Sequence, residues 1–287
     1  EKNEEYLFVP VGGRIYKIDA KNGKLVKSFG NNGSISSLTI VAPMVYNDSL
    51  VSVSIKRHVE VFDIHSGIKQ FDISVHGERN FSGGAPWGGA ALDKTKEIVY
   101  IVTGNPLPSL YGVNRPGENK NTSSIVAFDL KKRNILWAFQ DVNHDLWDYD
   151  IASPPIIHNL EIEGKLFETV IALTKTGNVI LLDRNNGKPI FDLRYRKAPI
   201  SDVPNEITSK YQLDLEKPEK FSKIDFDEND FDKLPSEKIK KIKKIIKNSK
   251  TGWFEPPSFK KDLIIFGIHG GAQWPGGAID PYKHELF

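Results

Sequence analysis

Between Asn143 and Asp150 the chain reads Asn-His-Asp-Leu-Trp-Asp-Tyr-Asp, placing three carboxylates, a histidine and two aromatic rings within eight residues. Carboxylates crowded like this repel one another unless a cation or a proton-transfer task holds them, which makes one of them a candidate general base. The same loop also reads as a hydrogen-bonded turn whose Asp and Trp side chains brace neighbouring sheets.

Three further segments carry candidate chemistry. In Ser82-Gly83-Gly84-Ala85-Pro86-Trp87-Gly88-Gly89 the glycines strip competing side chains from around Trp87. That leaves either an aromatic face open to a planar ligand or a tryptophan packed between strands. Thr103-Gly104-Asn105-Pro106 follows the apolar run Ile98-Val99-Tyr100-Ile101-Val102. The amide oxygen of Asn105 suits a hard cation such as calcium, although Asn before Pro is also an ordinary turn former. Leu173-Thr174-Lys175-Thr176-Gly177-Asn178 presents Lys175 at a turn, where its ammonium meets an anionic or carbonyl-bearing ligand or plain solvent.

Other chemistries are excluded. The chain has no cysteine, so disulfides, thiolate zinc sites and cysteine nucleophiles are absent. No Gly-x-x-x-x-Gly-Lys-Ser/Thr motif occurs, no Gly-x-Gly-x-x-Gly follows a strand, and no His-Glu-x-x-His stands anywhere. Thirty-nine Lys plus Arg against 37 Asp plus Glu give a net charge of +2, too balanced overall to mark nucleic acid or an anionic membrane as the main partner. No apolar run approaches the roughly 18 residues of a membrane-spanning helix.

The elements that must position these residues are written in a repeat. Gly13-Arg14-Ile15-Tyr16-Lys17-Ile18-Asp19-Ala20-Lys21-Asn22-Gly23 alternates as a strand and then turns on Asp-x-x-x-Gly. The pattern returns around Asp63 and Asp183, and around Asp129 without the glycine. Asp bonds the backbone two residues on and Gly takes positive φ cheaply, so the unit is a hairpin signal. The aspartates are 44, 66 and 54 residues apart, spacings that suit blades of a β-propeller with padded loops better than a β-sandwich. The expected organisation is propeller blades over residues 1–200, a charged and partly helical insertion over 201–252, and a resumed propeller over 253–287. Within the insertion, Ile239, Ile242, Ile245 and Ile246 recur at helical spacing among lysines, with Ser236 as N-cap. Those lysines read as a solvated face or as a docking surface for an acidic partner. A strand is expected to resume at Asp262–Gly267. About five blades fit the length, and an open arc would leave unpaired edges, so the chain is expected to be part of something longer.

Together these segments resemble the pyrroloquinoline quinone (PQQ) dependent dehydrogenases of the eight-bladed propeller type. The run Trp137–Asp150 is similar to their His-Asp-x-Trp-Asp loop. Asp19-Ala20-Lys21-Asn22-Gly23 with Phe29-Gly30-Asn31-Asn32-Gly33, and Phe254-Glu255-Pro256-Pro257-Ser258, are most like the glucose and polyol branch. The resemblance implies an all-β quinoprotein that oxidises a sugar or polyol, binds PQQ and Ca2+, works in the periplasm and passes electrons to a quinone or cytochrome. It implies Trp87 as the aromatic floor under the quinone, with Ala85 beside it, Asn105 as a calcium ligand, and Asp145 as general base and metal contact. It further implies Lys175 as the cation on the quinone oxygens, and Gln273 and Trp274 as a later lining loop. The sequence departs from the family at Val51–Arg57, where a Glu ligand is usual and no acid stands. A rival expectation is a non-catalytic propeller scaffold that mediates protein–protein interaction.

Overall fold

Each of the four larger sheets turns on an aspartate. Asp19, Asp63, Asp129 and Asp183 accept a backbone N–H at Oδ1 from Lys21 (2.8 Å), His65 (3.1 Å), Lys132 (2.7 Å) and Asn185 (2.8 Å). The fourth residue after each aspartate takes the left-handed conformation: Gly23 (71°), Gly67 (74°), Gly187 (70°) and, in the copy without glycine, Arg133 (59°). Two more copies lack the glycine altogether, Asp93 with Glu97 (φ 58°) and Asp280 with His284 (φ 56°).

The computed structural model describes residues 5–75, 81–231, 233–265 and 269–287. Strands β1 (Tyr6–Val11), β2 (Arg14–Asp19) and β3 (Ser34–Ser36) form the first antiparallel sheet. The second contains β4 (Met44–Tyr46), β5 (Ser49–Ser54), β6 (His58–Asp63) and β7 (Lys69–Ser74). A short ribbon pairs β8 (Ser82–Gly83) with β11 (Pro106–Leu107), around the third sheet of β9 (Ala90–Asp93), β10 (Ile98–Val102), β12 (Ser124–Asp129) and β13 (Asn134–Gln140). The fourth sheet is β14 (Ile156–Ile162), β15 (Lys165–Leu173) and β16 (Val179–Asp183).

These sheets stack face to face, because strands such as β10 are apolar on both sides. Val99 and Ile101 pack against Val51, Val53, Val59 and Val61 of the second sheet. Their neighbours Ile98, Tyr100 and Val102 face Val170, Ala172, Ile180 and Leu182 of the fourth. Ile15, Ile35, Leu50 and Phe62 join the first sheet to the second in the same way. The far face of the fourth sheet, at Ile171, Val179 and Leu181, is met by a terminal hairpin of β19 (Ile279–Asp280) and β20 (Glu285–Leu286). Four stacked sheets and the opening of a fifth make a partial β-propeller.

The insertion is less separate than its charge suggests. Its strand β18 (Tyr211–Leu213) pairs with β17 (Tyr195–Lys197), and Leu213 and Leu215 enter the core between the third and fourth sheets. Helix α1 spans Ser236–Asn248. Ser236 is its first residue rather than its cap: Pro235 occupies the cap position, and no side chain caps the helix. No strand forms over Asp262–Ile265, where only Leu263 bridges to Lys250, and Phe266 and Gly267 lie outside the described residues.

Candidate functional site

The four segments converge on one carboxylate, Asp150. Its Oδ2 accepts the indole N–H of Trp87 at 2.8 Å and the backbone N–H of Asn105 at 3.1 Å. Its Oδ1 accepts Lys175 Nζ at 3.1 Å. Sheet order explains the meeting, since Trp87 leads into β9 while the other segments follow β10, β13 and β15, all strands of the stacked third and fourth sheets. Gly104 makes it possible: a Cβ there would fall 2.6 Å from Asp150 Oδ2 and 2.9 Å from Trp87 Nε1. That spacing is the reason for a glycine between β10 and Asn105.

Lys175 lies in the turn between β15 and β16, buried, with Nζ also donating to the Asp148 carbonyl at 2.8 Å and to Asp148 Oδ2 at 3.2 Å. The turn is anchored from below. Thr176 Oγ1 and Asn178 Nδ2 donate to the two oxygens of buried Asp141 at 2.9 and 2.8 Å. Burial pushes the Asp141 carboxyl above the ordinary range, against the bonds from Asn178 and Thr176. The ammonium of Lys175 stands 5.9 Å from the centre of the Trp87 ring.

The loop's three carboxylates occupy different depths. Asp145 is 0% exposed, with Oδ1 accepting Trp147 N–H (2.8 Å) and Oδ2 accepting Tyr149 N–H (2.8 Å) and Ser123 O–H (3.0 Å). Burial raises its carboxyl to about 7, opposed by the Trp147 bond and reinforced by the charge of Asp150. Among the described residues no hydrogen bond joins Asp145 to Asn105 or Lys175. Asp148 keeps 27% of its side chain exposed. Its carboxyl is raised by burial and by Asp150, while Lys175 pulls it down. Asp145, expected as general base and metal contact, is thus placed with its carboxylate on the Trp147 and Tyr149 N–H groups and the Ser123 hydroxyl, closed to solvent.

The remaining expected residues divide. Asn105 is buried, its Nδ2 donating to Ser109 Oγ (2.7 Å) and the Pro106 carbonyl (3.2 Å), which leaves Oδ1 without a donor among the described residues. Ala85 is half-buried, and its carbonyl accepts the N–H groups of Trp87 (3.0 Å) and Gly104 (2.9 Å), so it shapes the loop. Trp274 is 71% exposed and shares a cavity of about 520 Å3 with Trp87, Val41, Gly89 and Pro154. Gln273 turns back to the His269 carbonyl instead of toward that cavity. Gly271 N–H bonds the Lys175 carbonyl at 2.8 Å, which seats this later loop on the Lys175 turn. A larger open depression of about 760 Å3, lined by Gly117, Tyr195 and Tyr211 among others, contains none of Trp87, Asn105, Asp148 or Lys175.

Bracing residues complete the site. His144 Nδ1 donates to the Gly117 carbonyl (2.7 Å), and Nε2 meets Glu206 Oε1 at 2.9 Å with both side chains buried. Arg115 donates to the Asp145 carbonyl and to Asn119 Oδ1 at 2.6 Å. Sequence spacing pointed to none of Asp141, Arg115 and Glu206, since each acts through a partner distant along the chain.

The model of the PQQ β-propeller domain of glucose, ethanol and alcohol dehydrogenases matches residues 57–287. The large subunit of glycerol dehydrogenase from Gluconobacter oxydans is 29% identical over 95% of this chain and 42% of its own length. The quinoprotein glucose dehydrogenase of Escherichia coli is 26% identical over 96% of this chain and 39% of its own. The chain thus spans about two fifths of these relatives. In fold it is similar to the quinohemoprotein alcohol dehydrogenase of Comamonas testosteroni, with a TM-score of 0.54 at 23% identity over 69% of this chain and 35% of that one. A europium-containing methanol dehydrogenase gives 0.52 at 20% identity, over 71% and 42%. With most of its length matched by the family model, this chain belongs to the PQQ-dependent dehydrogenase β-propeller family.

Proposed function

We propose that the chain forms a cofactor-bearing part of a dehydrogenase that oxidises a hydroxyl of a sugar or polyol, with Asp148 as proton acceptor. The observation that carries this is the environment of Asp148. Of the loop's three carboxylates it alone retains substantial access to solvent, and it does so while touching Lys175. Burial and the neighbouring Asp150 hold its carboxyl above the usual range, toward the pH at which a base both ionises and binds a proton well.

The residues present suit PQQ, a flat and anionic quinone. A half-buried indole lines a cavity large enough for a small molecule, with a buried ammonium near its ring. Trp87 would carry the ring system and Lys175 its oxygens, while Asp150 keeps both in register. When bound, PQQ supplies the electron-accepting carbonyl. Among the described residues no group of three His, Asp or Glu could hold a metal. The oxygen donors near the site are Asn105 Oδ1 and the Asp148 carboxylate, hard ligands of the type calcium takes, and the cofactor or water would complete the shell. Asp145 holds the loop by its three accepted bonds. The proposal carries with it a periplasmic setting and a quinone or cytochrome as electron acceptor.

The test is reconstitution with PQQ and calcium, then dye-linked oxidation of glucose and glycerol. Turnover is expected, falling about a thousandfold in Asp148→Asn. Neither PQQ binding nor oxidation would refute the proposal and favour a non-catalytic scaffold.

A further inference from the structure

The near-zero overall charge hides a segregation. From Lys233 to Lys250 the sequence holds eight lysines and one acid, Glu237, a net of +7 in a chain whose total is +2, so the rest carries −5. Helix α1 concentrates six of these lysines in 13 residues, and none of its residues is buried.

At 100° per residue, Ile239, Ile242, Ile245 and Ile246 share one face, with Lys238 and Lys241 on either side of Ile245, while Lys240, Lys243 and Lys247 lie on the opposite side and Lys244 between. Ile246 lines a shallow cavity of about 300 Å3 with Phe226, Asp227, Phe231, Lys243 and Lys247, so the helix leans on the propeller by the edge between Ile246 and these two lysines, and the side carrying Ile245, Lys238 and Lys241 faces away. Ile245 stays 57% exposed, and Leu234 ahead of the helix is also exposed. Only Lys240 among the helix lysines has an acidic partner within the described residues, Glu237 at 3.7 Å on an exposed turn.

From this we infer that α1 is a membrane-surface docking element, held to anionic phospholipid headgroups by its lysines and seated by Ile245. Charge complementarity supplies the attraction, and the exposed isoleucine supplies a side chain that a lipid interface accepts. Composition favours lipid over an acidic protein. All eight cations are lysine and none is arginine, whereas protein interfaces enrich arginine and deplete lysine. Lysine stems also lie along an apolar boundary while their heads stay in water. At 13 residues the helix lies on a bilayer rather than crossing it. The inference stands apart from the dehydrogenase proposal.

The experiment is co-sedimentation of the chain with vesicles of phosphatidylglycerol and phosphatidylcholine, with dye-linked activity of the PQQ-loaded chain measured in parallel. Binding is expected to the mixed vesicles, to disappear with phosphatidylcholine alone, and to be reversed by high salt. Neutralising Lys238, Lys241 and Lys244 to Gln costs about fivefold per lysine, about a hundredfold together. Ile245→Asp costs about tenfold. Circular dichroism confirms that the variants keep the helix. Unchanged binding in the lysine variant, or binding to soluble polyglutamate without vesicle binding, overturns the inference. Lost activity with vesicle binding intact would count only against the dehydrogenase proposal.

Discussion

Replacing Asp145 by asparagine separates a bracing carboxylate from a reacting one, and the separation is measurable as a dependence of stability on pH. Burial holds the Asp145 carboxyl at about 7, against 3.8 for a free one. Below pH about 4 it is protonated in folded and unfolded chains alike, and no penalty arises. As pH rises from there the unfolded chain releases the proton first, so unfolding is increasingly favoured until the folded form ionises near 7. The accumulated loss is about 4 kcal/mol, reached at neutral pH and constant above it. Asparagine carries no such penalty, but its one oxygen, seated where Oδ2 accepts Tyr149 N–H and Ser123 O–H, leaves its NH2 facing the Trp147 N–H, a fixed cost of about 1–3 kcal/mol. The variant should therefore melt below the parent at pH 4–5 and draw level with or pass it by pH 8, a relative change of roughly 10 °C. Thermal or urea unfolding of both proteins across that range is the assay. The difference between the two cancels Asp141 and Asp148, whose carboxyls are also raised. Parallel curves for parent and variant would refute a buried, raised Asp145.

The same variant should keep turnover within about tenfold of the parent, while Asp148→Asn loses it; dye-linked rates of the two reconstituted proteins decide between the carboxylates. Gly104→Ala drives a methyl between Asp150 and Trp87 and should cost about 1–3 kcal/mol in urea unfolding together with most PQQ retention. Full retention would show that the Trp87–Asp150 contact does not organise the cavity. Lys175→Met removes the cation shared by Asp148 and Asp150; PQQ titration should show at least tenfold weaker binding, and the activity profile should shift to higher pH as the Asp148 carboxyl rises without its partner. Gly187→Ala, at φ 70° with Trp137 ring atoms 2.6 Å from the new Cβ, should destabilise by about 1–3 kcal/mol without altering PQQ affinity.

Several features of this protein are local and were therefore legible in the sequence. An aspartate bonding the backbone two residues on, or three at Asp129, followed by a residue in the left-handed region, builds its hairpin from five consecutive residues, so the blades around Asp19, Asp63, Asp129 and Asp183 could be read directly. The turn at Asp93 uses the same hydrogen bond but replaces glycine by Glu97, and a pattern keyed to glycine passes over it. Residue type likewise singled out Trp87, Asn105, Lys175 and the Asn143–Asp150 loop. What only the tertiary structure decided is how depth is shared within that loop. Asp145, Asp148 and Asp150 are chemically identical and lie in irregular backbone with no period to sort them. Which one turns inward to the backbone, which collects the Trp87, Asn105 and Lys175 bonds, and which keeps a face to water depends on strands from two different blades closing around them. Burial and charge set a carboxylate's role, and both are properties of the surrounding fold.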